Sequence, residues 1–485
     1  MTPYWLVNHF SVLFHLLKDW FFHAPNGSIP LLFYPIQAIL NTFIFLYLKL
    51  QFLFAHYQYL FLILFILYTL NSKGGFSLIK NLLLSILFVI IIPTCHTAYA
   101  QNTSKELKAA FIRHHNLWTK TGDKEQQVTF EGRISYPKWS HDGNWIAYLK
   151  RTKKDGTFEL WLYNSKMNNH FQVRSNVENN FQWSPRDNRI SFIINKRLYV
   201  LTLDPAIPFL ISEIAENIEN FSWLPDGHSL LVSRKESKQL QSNLILSQIT
   251  FRTNKPIVRQ FYTVPVNEGE YYVSTSPFKW SYDQKWLSFL LLPTASLSAD
   301  SNTLCLLSRN GQVFQRTADM LNEVEWFQWA PSKNTLGYVK GIGREANLNK
   351  QVEVVNFPSL NKELVTPNGY VDRDLSWKNN EVIYVSRAKE DTKADLINRP
   401  LPCIYQINMT SGQQKQVTFP AEQESDFAPR FIDDTLLWIR TNKYSASIFL
   451  LENQTDVKWI KIINVASNYY DRWNWDEVFS LYRGR

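Results

Sequence analysis

Cysteine, methionine and glycine are all scarce, with three Cys, four Met and 16 Gly in 485 residues. Cys95, Cys305 and Cys403 cannot build a disulfide framework or a Cys-based metal site, so buried free thiols are expected at Cys305 and Cys403. Histidine is thin as well. After residue 101 there are only His114, His115, His141, His170 and His228, none at the helical spacing of a zinc motif. No metal and no cofactor is therefore expected. No Gly-x-Ser-x-Gly elbow occurs, which argues against an appended serine hydrolase. The Gly341-Ile-Gly343-Arg344 stretch is followed by no Lys-Ser or Lys-Thr, so it reads as a flexible loop rather than a phosphate loop.

Charge is nearly missing from the first hundred residues, which hold only Lys18, Asp19, Lys49, Lys73 and Lys80. Four apolar runs occupy 4–22, 30–49, 51–70 and 78–94, and the third has about the ~20 residues a helix needs to span a bilayer. In the fourth, Lys73 and Lys80 precede an apolar block ended by Pro93, and Ala98-Tyr-Ala100 before Gln101 forms a small-x-small cleavage site for export. No Met lies between Met1 and Met167. Two readings stay open for 1–69: transmembrane helices, or a stretch upstream of the true gene start. The expected organisation is 1–69 apolar segment, 70–100 export signal, and 101–485 globular domain. The protein is expected at the extracytoplasmic face of the membrane or in the cell wall, with residues 1–94 as a membrane anchor if they are retained. The net charge of +9 is mild over this length and does not call for nucleic acid.

What the globular part has in abundance is a repeat. Ile134-Ser-Tyr-Pro-Lys-Trp139-Ser-His-Asp-Gly-Asn-Trp-Ile-Ala-Tyr reads as a strand, a tight turn and a second strand. Copies end on Trp183, Trp223, Trp280, Trp329, Trp377 and Phe431, at steps of 44, 40, 57, 49, 48 and 54 residues. A period in this range with four strands per unit specifies an all-β fold, a β-propeller. We letter the strands A to D from the centre outward. The aromatic anchors end strand A and are expected to fill the wedges between blades.

Residues 107–130 match strands B to D of a unit without its strand A: Ala109-Ala-Phe-Ile parallels Ile190-Ser-Phe-Ile, and Gln127-Val-Thr-Phe130 parallels Gln416-Val-Thr-Phe419. The missing strand is expected at the other end, in Asn468–Trp475, with Trp475 as the eighth anchor. Eight blades closed by both termini follow, with seven as the alternative. Closure of this kind leaves no free sheet edge. The long insertions, Arg234–Ser242, Asn267–Pro277, Pro293–Asn302, Gly341–Lys350 and Arg387–Pro400, are B–C or D–A connections, so all fall on one face of the disc.

The anchors, with Trp-Ser-Pro at 183–185, Pro-Asp-Gly at 225–227 and Arg-Leu-Tyr-Val at 197–200, resemble the TolB-type propeller repeat, shared with the propellers of prolyl-oligopeptidase-like enzymes. The resemblance covers 107 to about 475 and implies an exported bacterial propeller acting through protein or envelope contacts. The α/β domain of TolB has no room between signal and repeats, and TolB implies six blades, so fold and compartment carry over and partners do not. The expected function is non-catalytic binding of a protein or cell-envelope polymer through the long-loop face, at Tyr271 and Tyr272 beside Glu268 and Glu270, with Arg344 and His114. The alternative is a carbohydrate-active lyase or hydrolase with carboxylates at the channel mouth, drawn from Asp372, Asp374, Glu424, Asp426, Asp433 and Asp434.

Overall fold

The computed structural model describes residues 106–485 apart from 153–155, 204–208, 252–255, 392–398, 443, 467, 470–471 and 485. The apolar runs and the Ala100/Gln101 cleavage site lie outside the described residues. Eight four-stranded antiparallel blades form the ring.

Blade 1 is Ile134–Trp139, Trp145–Arg151, Phe158–Asn164 and Asn169–Ser175, and the units that follow repeat its order. Strand A is Phe181–Trp183 in blade 2, Asn220–Trp223 in blade 3, Phe327–Trp329 in blade 5, Tyr370–Trp377 in blade 6 and Ser425–Ile432 in blade 7. Each anchor stands at or next to the end of its strand A. Blade 4 departs slightly. Its strand A is split into Tyr272–Thr275 and Lys279–Trp280, both paired with Trp286–Pro293, so part of the expected Asn267–Pro277 loop is strand.

Blade 8 takes strands B to D, Lys108–Arg113, Asn116–Thr121 and Lys124–Gln127, from the start of the domain and strand A from its end. That strand is Phe479–Leu481, in register Phe111↔Phe479, Ala110↔Ser480 and Ala109↔Leu481. The expected Asn468–Trp475 strand is corrected: Asn468–Tyr469 and Arg472–Trp473 pair only with each other. Trp475 is not an anchor. It opens a 3₁₀ turn, Trp475–Glu477, and is buried in the core shared by blades 7, 8 and 1. Leu481 holds the anchor position, and an aliphatic side chain there suffices because Tyr482, one residue on, packs at a tilt against Trp139 with ring centres 5.8 Å apart and donates to His141 O at 3.2 Å.

Local chemistry repeats with the blades. In the A–B hairpin of blade 1, Ser140 Oγ donates to Asp142 (2.6 Å) while Asp142 accepts from Asn144 N (3.0 Å). Ser281 and Asp283 do the same in blade 4, at 2.8 Å and with Lys285 N at 2.9 Å. These are Asx turns, and they explain the Trp-Ser-x-Asp spacing. The Val-Thr ending of strand D also has a role. Thr129, Thr366 and Thr418 accept from Leu117 N (2.9 Å), Val352 N (2.7 Å) and Ile404 N (2.9 Å), satisfying a backbone donor that the short strand D leaves open. Between blades the core is apolar, with Phe111, Phe181, Phe221, Phe289 and Phe327 fully buried, each worth roughly 1.5–3 kcal/mol of burial.

Candidate functional site

The inner edges of the A strands have no backbone partner across the channel, and side chains stitch them together instead. At four of the anchors the indole donates to the carbonyl of the residue before the preceding anchor: Trp183 to Lys138 O (2.9 Å), Trp223 to Gln182 O (3.1 Å), Trp329 to Lys279 O (3.2 Å) and Trp377 to Gln328 O (2.9 Å). In return, the residue before an anchor reaches the next blade. Lys138 Nζ donates to Phe181 O (2.8 Å), Gln182 to Phe221 O (3.0 Å) and Lys279 Nζ to Phe327 O (3.0 Å), and Ser222 Oγ accepts from Phe278 N (2.8 Å).

In blades 4, 5, 7 and 8 this same position, Lys279, Gln328, Arg430 and Ser480, lines a channel cavity of about 670 Å³. Trp280, Trp329 and Phe431 contribute apolar surface, and Tyr282, Pro331 and Arg483, beyond the anchors, bring the cavity to the hairpin face. Positive-φ bulges at Tyr136, Asp374 and Ala428 interrupt the A strands of blades 1, 6 and 7 and re-aim side chains near the channel.

Charges from several blades meet here. Arg430 of blade 7 donates to Glu325 of blade 5 and lies 3.5 Å from Asp476 of the closing segment. Lys279 Nζ stands 3.6 Å from Glu325 and donates to Val324 O at 2.7 Å. Asp374 of blade 6 accepts from Trp326 Nε1 (2.8 Å) and Ala428 N (3.0 Å), tying blades 5 and 7 to its own. The ring encloses these groups, yet channel water reaches them: Glu325 is 37% and Asp476 52% exposed.

The two carboxylates are driven apart. Burial pushes both up, but for Glu325 the charges of Lys279 and then Arg430 win and hold it below the usual carboxylate range. Asp476 stays raised by burial and by the Glu325 charge, against the pull of Arg430. Burial also raises Asp374, despite its two hydrogen bonds. Among the cations, burial lowers Lys279, partly offset by Glu325, and lowers Lys138 to about 8 against the attraction of Asp476. One carboxylate that keeps its charge beside one that holds a proton more readily is an arrangement able to grip a cationic group or to divide acid and base roles.

Of the sequence-derived candidates only Asp374 belongs to this cluster, and the proposed binding residues lie elsewhere. Glu268 is exposed, and Tyr271 is 39% exposed with its carbonyl accepting from Thr294 N (3.2 Å). Tyr272 bonds Thr303 Oγ1 (2.8 Å), and Glu270 pairs with Arg316, whose guanidinium sits 5.7 Å from the Tyr272 ring centre. Glu270 and Tyr272 are thus brought together, at the edge of blade 4. Arg344 pairs with Asp300 (2.7 Å), joining the B–C loops of blades 5 and 4. His114 and His115 fill the B–C turn of blade 8 with positive φ. None of these lines the channel cavity.

Of the other carboxylate candidates, Asp372 and Asp426 form buried bidentate pairs with Arg387 (2.6 Å) and Arg440 (2.7 and 2.8 Å). Asp433 and Asp434 form the positive-φ A–B turn of blade 7. Glu325 and Asp476 were missed. Each lies in a 3₁₀ turn just before a strand A, Val324–Trp326 and Trp475–Glu477, and an acidic residue two or three positions ahead of Phe327 and Phe479 was the available signal. Cys305 is buried and Cys403 half-buried, both as free thiols.

No family model matches the chain. In sequence it is 25% identical over 114 residues to the uncharacterized peptidase YuxL of Bacillus subtilis (strain 168), a stretch covering 21% of this chain and 17% of that protein. Similar solved structures include Porphyromonas gingivalis dipeptidyl peptidase 4, at 10% identity and TM-score 0.51, covering 73% of this chain and 58% of that one. Acinetobacter baumannii TolB is another, at 13% identity and TM-score 0.32, covering 70% and 69%. The chain thus spans little more than half the length of the peptidase structure it matches, and the likeness is one of propeller fold.

Proposed function

We propose that residues 101–485 form an exported, TolB-like, ligand-binding propeller whose ligand is a zwitterionic, peptide-like molecule held in the channel cavity. The observation that carries this reading is the convergence of Lys279, Glu325, Arg430, Asp476 and Arg483 in one cavity that also exposes Trp280 and Trp329. Charges of both signs beside aromatic surface suit a ligand carrying an ammonium, a carboxylate and an apolar body, since each charge then meets its opposite in a partly water-excluded site. Asp476, with its long contact to Arg430 and its exposure to the channel, is the group with most capacity left for an ammonium. Residues 70–100 would direct export, and the long-loop face would remain a contact surface for a protein or envelope polymer. Titration of the full-length protein with tri-alanine, followed by tryptophan fluorescence, tests the reading. Saturable quenching that N-acetylation weakens supports it, and no response to either peptide rejects it.

A second reading is favoured by the opposed shifts of Glu325 and Asp476: the same cavity would perform acid–base chemistry on its ligand. Turnover of tri-alanine or of an oligosaccharide, abolished in both Glu325→Gln and Asp476→Asn, would establish it. Binding without turnover leaves the first reading.

A further inference from the structure

A second cleft, on the opposite face from the channel cavity mouth, has a distinct chemistry. It measures about 850 Å³ and is lined by Glu131, Gly132, Arg133, Lys150, Arg151, Thr152, Gly156 and Glu159, where the connection from blade 8 enters blade 1 beside the B–C loop of blade 1. Ile134 pairs with Lys150 in the register of strands A and B, and one step further Arg151 N donates to Arg133 O at 2.9 Å. Arg133 and Arg151 therefore stand opposite each other on neighbouring strands. Like charges in that relation repel and destabilise a sheet unless something neutralises them.

Among the described residues no carboxylate lies within ion-pair distance of Arg133, Lys150 or Arg151. Glu159, directly across from Lys150, turns instead to accept from Trp161 Nε1 at 2.9 Å. The cations are nonetheless held in place. Arg151 Nε donates to Gly156 O at 3.1 Å, which leaves its terminal nitrogens available, and Lys150 Nζ rests 5.1 Å from the centre of the Trp161 ring. The two glycines make room for this: a Cβ at Gly156 would come 3.3 Å from the Arg151 guanidinium, and one at Gly132 3.2 Å from Lys150 Cε.

We propose that this cleft is an anion-binding site, taking a ligand with at least two oxyanion groups, carboxylate or phosphate, that bridges Arg133 and Arg151. Planar guanidinium forks match such groups bidentately, and the bound anion removes the repulsion between the paired strands. The site is independent of the channel cavity.

The test is calorimetric titration of the full-length protein with pyrophosphate and, separately, citrate at fixed ionic strength. Saturable binding of pyrophosphate alone identifies phosphate as the chemistry, and of citrate alone carboxylate. In either case the Arg133→Ala/Arg151→Ala variant should bind about ten-fold or more weakly, Arg151→Lys should retain an intermediate affinity, and Asp476→Asn should bind as the wild type does. The double variant should melt within a degree or two of the wild type, since it loses a repulsive pair together with the single Arg151–Gly156 hydrogen bond. Absence of saturable binding by both anions, or undiminished binding in the double variant, overturns the proposal.

Discussion

Trp377 Nε1 donates to Gln328 O at 2.9 Å across the seam between blades 5 and 6, and a Cβ placed on Gly337 would lie 3.3 Å from the same indole. One side chain thus supplies both a hydrogen bond to an otherwise unpaired strand edge and the filling of an inter-blade wedge. The two contributions separate by mutation. Trp377→Phe should cost about 1 kcal/mol, the scale of one net hydrogen bond, and Trp377→Ala about 3–5 kcal/mol, the scale of a deleted core aromatic. Urea unfolding of both variants checks this, and equal losses would show that packing alone matters.

The ring closes on three register pairs between Phe111–Ala109 and Phe479–Leu481, reinforced by Ile112 N to Val478 O (2.9 Å) and Tyr482 N to Lys108 O (2.9 Å). Deletion of 479–485 should leave Lys108–Arg113 as an open edge. Hydrogen exchange should then rise across that strand while Thr335–Lys340, strand B of blade 5, keeps its protection. Unchanged exchange at 108–113 would mean that the closing strand adds nothing to blade 8.

Asp372 and Arg387 are both essentially buried, at 0% and 3% side-chain exposure, and Thr366 Oγ1 also donates to the carboxylate at 2.6 Å. Asp372→Ala strands a buried guanidinium and should cost about 3–5 kcal/mol, whereas Asp372→Ala with Arg387→Met should recover much of that loss. Chemical denaturation of the single and double variants provides the cycle.

Lys138 and Gln182 make the same bond to the next blade, so Lys138→Gln should preserve the stitch and remove a half-buried charge. The Lys138 ammonium loses its proton at about 8 when folded and near 10.5 when unfolded. The unfolded chain therefore binds more protons between those values, and wild-type stability rises with pH across that window. The variant should match or exceed wild-type stability below pH 8, and its advantage should shrink from there towards pH 10.5. Melts at pH 7 and pH 10 test the sign, and an advantage that grows with pH would contradict it.

Much of the fold was legible in the sequence because the anchors combine a large aromatic with an Asx turn at a fixed offset, and the split blade was legible because 109–123 copies 190–204. The closing strand was not. Its anchor position holds Leu481, with no aromatic signal, while Trp473 and Trp475 just upstream imitate an anchor. The cavity was hidden for a different reason. Reading down the column before the anchors, Lys138, Gln182, Ser222, Lys279, Gln328, Ser376, Arg430 and Ser480, shows the inward position and its three cations. Glu325 and Asp476 stand outside the strands, where period-2 alternation says nothing of direction, and only the ring brings the second beside the first.

The most direct measurement is a crystal structure of the full-length protein grown with tri-alanine. The peptide is expected in the channel cavity, its ammonium against Asp476 and its carboxylate towards Lys279 or Arg483. Tri-alanine bound only at Tyr271 and Tyr272 on the long-loop face, or an unoccupied cavity under conditions that saturate binding in solution, would contradict it.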